Sequence, residues 1–438
     1  MSVVINMIER KIYNDLIKWK ENKNKKSLII KGARQVGKTF IIDKFCMENY
    51  KNYVYINFFE NDEYKTIFES GLDVDNIIKR LTIVLPNVNL VPYETVIFLD
   101  EIQDCPRAIT ALKFLTMDKR FDIIASGSLL GINYKDEIPS YPVGYVEHLE
   151  MYSLDFEEFC YANGMSKEAI KYLKEYFDEL KTVPDSIHNK MMELFKEYII
   201  VGGMPAVVSE FVDSHNYTKV LKAQRDIIED YKMDIGKYAK ENEKAKIRDC
   251  FLSIPKHLSK DYKKFRYNLV SSGGKALKYQ GSLQWLNDAN IINFCYNLSV
   301  PELPFEGNSI SDIFKVYMSD TGLLMAMFES SSAKEILNGN LGIYKGAIYE
   351  NVIADILAKK GLNLYYFEHN STIEVDFLIK YRDKITAVEV KSADNTKSKS
   401  LNSMIDNWKV EQGIKLSSKN IGISDKIIIL PIYMAMFL

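Results

Sequence analysis

The sequence predicts an α/β protein whose first part is a parallel sheet with helices on both faces. Short apolar segments alternate with segments of helical spacing over the first 150 residues, and strands separated by helices indicate a parallel sheet. The pattern is then mainly helical, and a helix followed by further strands closes the chain. We expect an α/β domain at 1–150, a helical lid-like segment at 151–210, a mainly helical region at 211–335 and a second α/β domain at 336–438.

Composition excludes several classes of protein. Of the 438 residues, 47% are hydrophobic and 26% are charged, with a net charge of −2. These values exclude a largely disordered chain and a global polyanion binder, although a local basic module stays possible. The five cysteines are scattered, which favours reduced thiols over disulfides or a zinc site. The sequence shows no signal peptide and no run of about 18 apolar residues, so we expect a cytoplasmic protein without a membrane segment.

Four short apolar segments of the first domain predict its strands. Each is followed by a loop and a segment of helical character, as in repeated strand–helix units. The predicted strands are Ser27–Lys31, Tyr53–Asn57, Val96–Leu99 and Ile123–Ala125. At the other end of the chain, the apolar stretch Ile427–Leu438 predicts a buried strand.

The first strand leads into a phosphate-binding loop. The residues that follow it fit the pattern GxxxxGK[ST], and a helix is predicted to start at Lys38. In such loops the backbone N–H groups and the lysine bind phosphate oxygens, and the hydroxyl that follows binds Mg²⁺. We expect Lys38 to be exposed in the loop and Thr39 to be a metal ligand. The predicted nucleotide-binding residues of the loop are Gly32, Ala33, Arg34, Gln35, Val36, Gly37, Lys38 and Thr39.

A second part of the nucleotide site is predicted at the end of the strand Val96–Leu99. Asp100 follows this strand, at the carboxyl edge where ligands bind in open parallel sheets. We expect Asp100 to hold Mg²⁺ through water and Glu101 to polarise the attacking water. This pair favours hydrolysis over a small-molecule kinase, whose nucleophile comes from its substrate.

Two serines follow the strand Ile123–Ala125. Ser126 and Ser128 are candidates to sense the terminal phosphate or to orient water. A plain Ser/Gly turn explains them equally well, because both residue types favour turns.

Together these motifs resemble a family of prokaryotic AAA+-type ATPases that pair an AAA-14 domain with a DUF4143 region. The blocks that carry the resemblance occur in the family's order over nearly the whole chain. They are Lys31–Thr39, Phe98–Gln103, Ala125–Ser128, Pro142–Gly144, Leu154–Phe159 and Gly202–Pro205. The resemblance implies ATP binding and hydrolysis in the cytoplasm, with ATP and Mg²⁺ as cofactors.

One position departs from the family pattern. A basic residue usually follows the Pro-Val-Gly block, whereas this chain has Tyr145. An arginine finger is therefore not placed. Arg107 and Arg120 lie near suitable helices, but surface charge is the usual role of arginine.

The middle of the chain is basic. Residues 231–290 carry seven more basic than acidic residues. Helical segments at Lys244–Ser253 and Ser282–Asn290, followed by an aromatic strand-like segment, are typical of a winged helix, which docks a helix into DNA. The resemblance implies the same fold. The alternatives are protein contacts or a solvated lysine face, so either DNA or a protein is expected as the partner.

The last domain carries a D…ExK pattern with a helical glutamate upstream. Asp376 and Glu389 lie thirteen residues apart, the length of a hairpin, and Lys391 shares the face of Glu389. With Glu350, the set resembles the restriction-endonuclease-like PD-(D/E)XK fold, in which the carboxylates hold Mg²⁺. We expect the four side chains to converge. An ion pair between Glu389 and Lys391 in a binding domain is the alternative.

Three functions follow from these patterns. The first is a Mg²⁺-dependent ATPase of AAA+ type coupled to winged-helix and nuclease-like regions. The second is a DNA-processing nuclease regulated by ATP. The third is a nucleotide-dependent interaction module with little turnover, and an oligomer is compatible with each.

Overall fold

The computed structural model divides the chain into two compact units. The N-terminal unit contains Arg10–Ser153, and the C-terminal unit contains Leu154–Leu438. The residues that the structure describes are 8–128, 140–260, 263–328, 345–370, 373–391 and 398–438. The boundary expected at 335/336 lies outside the described residues, and the other boundaries within the C-terminal unit stay predictions.

A five-stranded parallel sheet forms the centre of the N-terminal unit. Its strand order is β2-β3-β4-β1-β5. The strands are β1 (Ser27–Lys31), β2 (Asn52–Asn57), β3 (Thr95–Asp100), β4 (Asp122–Gly127) and β5 (Val146–Glu150). The helices are α1 (Ile12–Glu21), α2 (Lys38–Asn49), α3 (Val74–Val84) and α4 (Pro106–Asp118).

Burial explains this layout. Every residue of β3 is buried, and β4 is buried after its first residue. Strands of this kind require helices on both faces of the sheet. The predicted fold class, a P-loop-type parallel sheet flanked by helices, is confirmed. Strand β5 escaped prediction because Glu147, His148 and Glu150 interrupt its apolar pattern at the sheet edge.

The C-terminal unit begins with helices. The first eight are α5 (Phe156–Ala162), α6 (Lys167–Glu179), α7 (Asp185–Val201), α8 (Pro205–Ser214), α9 (Tyr217–Tyr238), α10 (Lys244–Leu258), α11 (Tyr267–Val270) and α12 (Ala276–Asp288). An antiparallel pair follows, β6 (Ile292–Leu298) and β7 (Ser309–Met318). Helices α13 (Thr321–Met327) and α14 (Lys345–Lys359) come next.

Two sheets complete the C-terminal unit. The strands are β8 (Leu364–His369), β9 (Ile373–Val375), β10 (Phe377–Tyr381), β11 (Lys384–Val390), β12 (Gln412–Ser417), β13 (Gly422–Ser424) and β14 (Ile427–Pro431), with helix α15 (Lys399–Asn407) before β12. The strand orders are β7-β6-β8-β9 and β10-β11-β12-β14-β13. Further strands in this part are thus confirmed. The apolar pattern of residues 373–379 predicts one strand, but the structure has two, β9 and β10, separated by Asp376, whose Oδ2 accepts a hydrogen bond from Val390 N at 2.7 Å.

Three smaller expectations can be compared with the structure. The stretch Ile427–Leu438 is a strand only to Pro431 and continues as a buried 3₁₀ helix. All five cysteines are buried and none of them forms a disulfide: Cys46, Cys105, Cys160, Cys250 and Cys295. In the described ranges, no helix combines the length and apolar character needed to cross a bilayer.

The Gly-Gly block lies at a close backbone contact within the C-terminal unit. Gly202 has a φ of 73°. Leu154 N donates to Gly203 O at 2.7 Å, and Gly203 N donates to Asp320 Oδ2 at 2.8 Å. A Cβ on Gly203 would lie 2.0 Å from Leu154 O, so only glycine fits.

We expect Gly203→Ala to destabilise the C-terminal unit, because the backbone must move to relieve the overlap. Its melting temperature should fall by about 5 °C or more, as measured by calorimetry. Gly281→Ala is the matched control, since nothing lies within 4 Å of its added Cβ inside α12. The control should be neutral or stabilising by roughly 0.5–1 kcal/mol. Equal melting temperatures for the two variants would contradict this role of Gly203.

Candidate functional site

The phosphate loop joins β1 to α2 at the carboxyl edge of the parallel sheet. A Cβ on Gly32 would lie 2.0 Å from Met151 O, so the loop packs against the residues that follow β5. Gly37, at the N-cap of α2, has a φ of 91°, which favours glycine. It provides no side-chain cap for the helix. The first N–H groups of α2 are therefore suited to an anionic ligand.

Lys38 is buried, so the expectation of an exposed lysine is wrong. Its side chain folds back onto the loop and is 7% exposed. Lys38 Nζ donates to Gly32 O at 2.9 Å and to Ala33 O at 2.8 Å. Burial lowers the pKa of Lys38 to about 8, although the carboxylates of Glu101 and Asp100 oppose this change. The ammonium group thus lies where it can attract both phosphate and the acidic pair.

Asp100 is the most constrained residue of the site. Its carboxylate is 2% exposed and accepts hydrogen bonds from four groups. Thr39 Oγ1 and Tyr55 OH donate to Oδ2 at 2.9 Å and 3.0 Å. Ser126 Oγ and the Glu101 backbone N–H donate to Oδ1. The strand end therefore brings Asp100 beside Thr39, as a shared Mg²⁺ site requires.

Glu101 is held by a neighbour that the sequence analysis did not assign. Its backbone lies in the left-handed region, with a φ of 50°. Gln103 Nε2 donates to Glu101 Oε2. Gln103 Oε1 is buried without a hydrogen-bond partner among the described residues. This amide fixes the direction of the Glu101 carboxylate.

The two candidate serines have different surroundings. Ser126 Oγ is committed to Asp100. Ser128 Oγ is also buried, yet within the described part of the chain it has no hydrogen-bond partner. Ser126 therefore orients the aspartate, whereas Ser128 has a hydroxyl that a ligand or water can use.

Arg10 is a second residue that sequence reasoning missed. The guanidinium is buried and donates to Val36 O at 2.8 Å and to Tyr152 O at 2.5 Å. It ties the phosphate loop to the segment after β5. Arg10 lies between Glu9 and Lys11 in the sequence, and a run of three charged residues is typical of an exposed segment. Tyr55 was missed as well, although its place near the end of β2, next to β3, is the signal that could have identified it.

The arginine-finger candidates both have partners within the N-terminal unit. Arg107 Nε donates to Phe68 O at 2.8 Å. Arg120 contacts Asp118 Oδ1 at 2.7 Å and Asp75 Oδ1 at 2.6 Å. At Tyr145, the position that departs from the family pattern, the centre of the ring lies 5.3 Å from Lys113 Nζ.

In the C-terminal unit, Glu350 and Asp376 contact each other. Glu350 lies on α14 and Asp376 between β9 and β10. Burial and the Glu350 carboxylate raise the pKa of Asp376 to about 8. A hydrogen bond between Asp376 and Glu350 contributes to the lowered pKa of Glu350. The two carboxyl groups therefore have pKa values shifted in opposite directions.

Two lysines of the middle region neutralise this pair. Lys263 Nζ contacts Glu350 Oε1. Lys315 Nζ lies 3.8 Å from Glu350 Oε2 and 2.8 Å from Glu374 Oε1. Burial alone lowers the pKa of Lys315, but the surrounding carboxylates outweigh it and raise the pKa above its usual value. For Glu350, burial is likewise outweighed by Lys263 and Lys315, so its pKa is lowered.

Glu389 and Lys391 form an ion pair. Lys391 Nζ lies 2.6 Å from Glu389 Oε1. Glu389 Oε2 is buried without a hydrogen-bond partner in the described ranges. The register of β10 with β11, continued by one residue, puts Asp376 opposite Glu389. The convergence of all four predicted residues on one site stays a prediction. Among the described residues, no group of three or more His, Cys, Asp or Glu side chains is arranged to hold a metal ion.

Comparison with protein families divides the chain into three matched segments. Residues 24–160 match the model of an AAA domain, AAA_14. Residues 192–334 match a domain of unknown function, DUF8612, and residues 345–434 match another, DUF4143. A search of curated proteins gave no match.

The chain is distantly similar to several solved structures. The Walker-type ATPase PABY2304 of Pyrococcus abyssi is 13% identical, with a TM-score of 0.45, over 73% of this chain and 96% of that one. The Aeropyrum pernix ORC1 protein in complex with DNA is 12% identical, with a TM-score of 0.30, over 75% and 90%. AMPPCP-bound DnaA from Aquifex aeolicus is 12% identical, with a TM-score of 0.29, over 64% and 89%. Similarity at this level supports no argument about function.

The family matches include the residues of both candidate sites. The AAA match covers the phosphate loop, Asp100 and Glu101, and the DUF4143 match covers Glu350, Asp376 and Glu389. The AAA_14 and DUF4143 models thus match the first and the last part of the chain, as the resemblance in sequence implied.

Proposed function

We propose that the protein hydrolyses ATP with Mg²⁺ at the carboxyl edge of the parallel sheet. The observation that carries this proposal is the contact between Thr39 and the buried carboxylate of Asp100, at 2.9 Å. It joins the end of the phosphate loop to the end of β3. Two hard oxygen ligands then lie side by side, which suits Mg²⁺.

Binding of the phosphates is assigned to the phosphate loop. The close packing of Gly32 and the left-handed backbone at Gly37 give the loop its shape. Lys38 exchanges the carbonyl oxygens of Gly32 and Ala33 for phosphate oxygens. Thr39 and Asp100 would hold Mg²⁺, Asp100 through water. When bound, the ion neutralises charge on the phosphates.

Activation of the attacking water is assigned to Glu101. Glu101 directly follows Asp100 in the sequence. Its carboxylate does not share the hydroxyl donors that hold the Asp100 carboxylate, so it is available as a base. Gln103 sets its direction. Ser128, whose hydroxyl is buried, is proposed to contact the terminal phosphate or the water, and Ser126 to act through Asp100.

Slow turnover remains the competing proposal. Arg107 and Arg120 are engaged by groups of their own unit. A stimulating cation would then come from a second copy of the chain or from a partner. In its absence the protein would act as a nucleotide-dependent interaction module.

The middle region is proposed to form a winged helix that binds DNA or a protein. Helices α10, α11 and α12 precede the β6–β7 hairpin, which is the element order of that fold. Its positive charge is partly used within the chain, since Lys263 contacts Glu350 and Lys264 contacts Glu368. Lys275 and Lys278, which flank the fully exposed Leu277 of α12, remain the better candidates for partner contacts.

A nuclease-like site is the second candidate function. The order α14, β8 to β11, α15, β12 and the contact of Glu350 with Asp376 favour it. With Glu389, these carboxylates could hold a divalent cation, and Lys391 could orient water. In the structure, however, the ammonium of Lys263 already neutralises Glu350. An ATP-regulated DNA nuclease would have to move that lysine.

Lys38→Ala should abolish ATP binding, because the phosphates lose their cation. Calorimetry should detect no binding at ATP concentrations that saturate the unaltered protein. The variant also loses two hydrogen bonds to the loop, so its fold is checked by its melting temperature. Arg34→Ala, in the same loop, is the control and should keep measurable affinity. Wild-type affinity in Lys38→Ala would mean that the phosphates bind elsewhere.

Glu101→Gln should leave ATP binding intact and slow hydrolysis about a hundredfold, the usual effect of losing a general base. The carboxylate acts on the water and not on the ground-state complex. Single-turnover phosphate release measures the rate. Gln103→Leu removes only the hydrogen bond that orients the Glu101 carboxylate, so it should slow hydrolysis less than Glu101→Gln does. If Glu101→Gln hydrolyses ATP at the normal rate, Ser128 becomes the candidate for orienting the water.

Lys263→Gln should create a site for divalent cations by exposing Glu350 and Asp376. The variant should melt at a lower temperature than wild type, because a buried carboxylate has lost its partner. Mn²⁺ should restore its melting temperature. Lys264→Gln, which removes the adjacent ion pair with Glu368, is the matched control and should not respond to Mn²⁺. If neither variant responds, the carboxylates form a structural ion cluster.

A further inference from the structure

A cavity lies at the amino edge of the parallel sheet, opposite the phosphate loop. Its volume is about 330 Å³, and we call it the amino-edge cavity. The loop before β1 and the loop before β4 form most of its wall. Because β1 and β4 are parallel neighbours, the two loops meet at the same edge. The residues that the argument uses are Trp19, Lys23, Lys26, Tyr93, Lys119 and Arg120.

Both loops bring positive charge. Lys23, Lys25 and Lys26 come from the first loop, and Lys119 and Arg120 from the second. These five cations lie close together because β1 and β4, which follow the two loops, are neighbours in the sheet.

The acidic groups nearby are already engaged. Asp122 lies 3.1 Å from Lys25 Nζ and accepts a hydrogen bond from Tyr50 OH at 2.7 Å. Asp118 and Asp75 both contact Arg120. Glu147 Oε1 accepts the backbone N–H of Lys26 at 3.0 Å.

Three lysines of the cavity have no acidic partner among the residues that the structure describes. Within the described ranges, the ammonium groups of Lys23, Lys26 and Lys119 form no ion pair. They belong to two loops on either side of one concave surface. An anionic ligand in the cavity can therefore be approached by cations from both sides.

Two aromatic residues add a second kind of contact. Trp19 is buried in the wall, and its indole N–H donates to Lys26 O at 2.9 Å, which fixes the lysine loop. Tyr93 is 81% exposed at the rim. Its backbone has a φ of 67° and its N–H donates to Arg120 O at 2.7 Å. An exposed ring on an anchored backbone, beside lysines that have no ion pair with the described residues, is the combination that binds nucleobases and phosphates together.

We propose that the amino-edge cavity binds the phosphate group of a nucleotide or of single-stranded DNA, with Tyr93 stacking on a base. This site is separate from the one at which ATP is hydrolysed. The phosphate loop follows the carboxyl end of β1, whereas the cavity lies before its amino end. The inference does not depend on the proposed ATPase mechanism.

The test uses the full chain carrying Lys38→Ala, so that the phosphate loop does not contribute. Two probes distinguish the source of the phosphate: a fluorescein-labelled twelve-nucleotide oligodeoxythymidylate, followed by anisotropy, and thymidine 5′-monophosphate, followed by calorimetry. Lys23→Gln, Lys26→Gln and Lys119→Gln are combined. Lys79→Gln, Lys171→Gln and Lys222→Gln, at exposed lysines outside the cavity, form the matched control.

The combined cavity variant should bind its probe at least tenfold more weakly than the control. For the oligonucleotide, the slope of log affinity against log salt should fall by about 2, as expected when roughly three single-strand phosphate contacts are lost. Tyr93→Ala should weaken binding several-fold without changing this slope. A response to the oligonucleotide alone identifies single-stranded DNA, and a response to both probes identifies a nucleotide site. Equal binding by the cavity variant and the control for both probes would overturn the proposal.

Discussion

The N-terminal unit depends on the burial of one carboxylate. A charged aspartate inside a protein is costly unless hydrogen bonds replace its water. Asp100 receives donors from three other parts of the sheet: Thr39 after β1, Tyr55 of β2 and Ser126 of β4. These donors meet at Asp100 because β3 lies between β2 and β4, with β1 next to β4. The strand order β2-β3-β4-β1 therefore supplies the hydrogen bonds that the acidic end of β3 needs.

In the C-terminal unit, a buried carboxylate is stabilised by lysines and not by neutral hydrogen-bond donors. Glu350 is buried and is neutralised by Lys263 and Lys315. The lysines belong to the middle region and the carboxylate to the DUF4143 segment. Removing either side would leave buried charge without a partner. The two segments are thus coupled electrostatically, which agrees with their grouping in a single compact unit.

The sequence predicted local features and missed distant ones. Apolar runs located four of the five strands of the parallel sheet to within one or two residues, and the spacing of glycines predicted the phosphate loop. Lys38 was expected in solvent, because no local pattern shows that its ammonium returns to Gly32 O. Lys263 appeared as one more cation of a basic stretch, since its partner lies 87 residues away. Periodicity carries no information about such pairs.

Charge counted along a sequence is therefore a poor guide to binding until its partners are known. Residues 231–290 carry a large excess of positive charge, yet Lys263 and Lys264 form ion pairs with Glu350 and Glu368 inside the chain. The N-terminal unit has less conspicuous lysines, and the fold brings Lys23, Lys26 and Lys119 to one cavity, where no residue that the structure describes forms an ion pair with them. A lysine that has an internal partner stabilises the fold, and one that lacks it can attract an anion. Strand order, more than composition, decides between these two outcomes here.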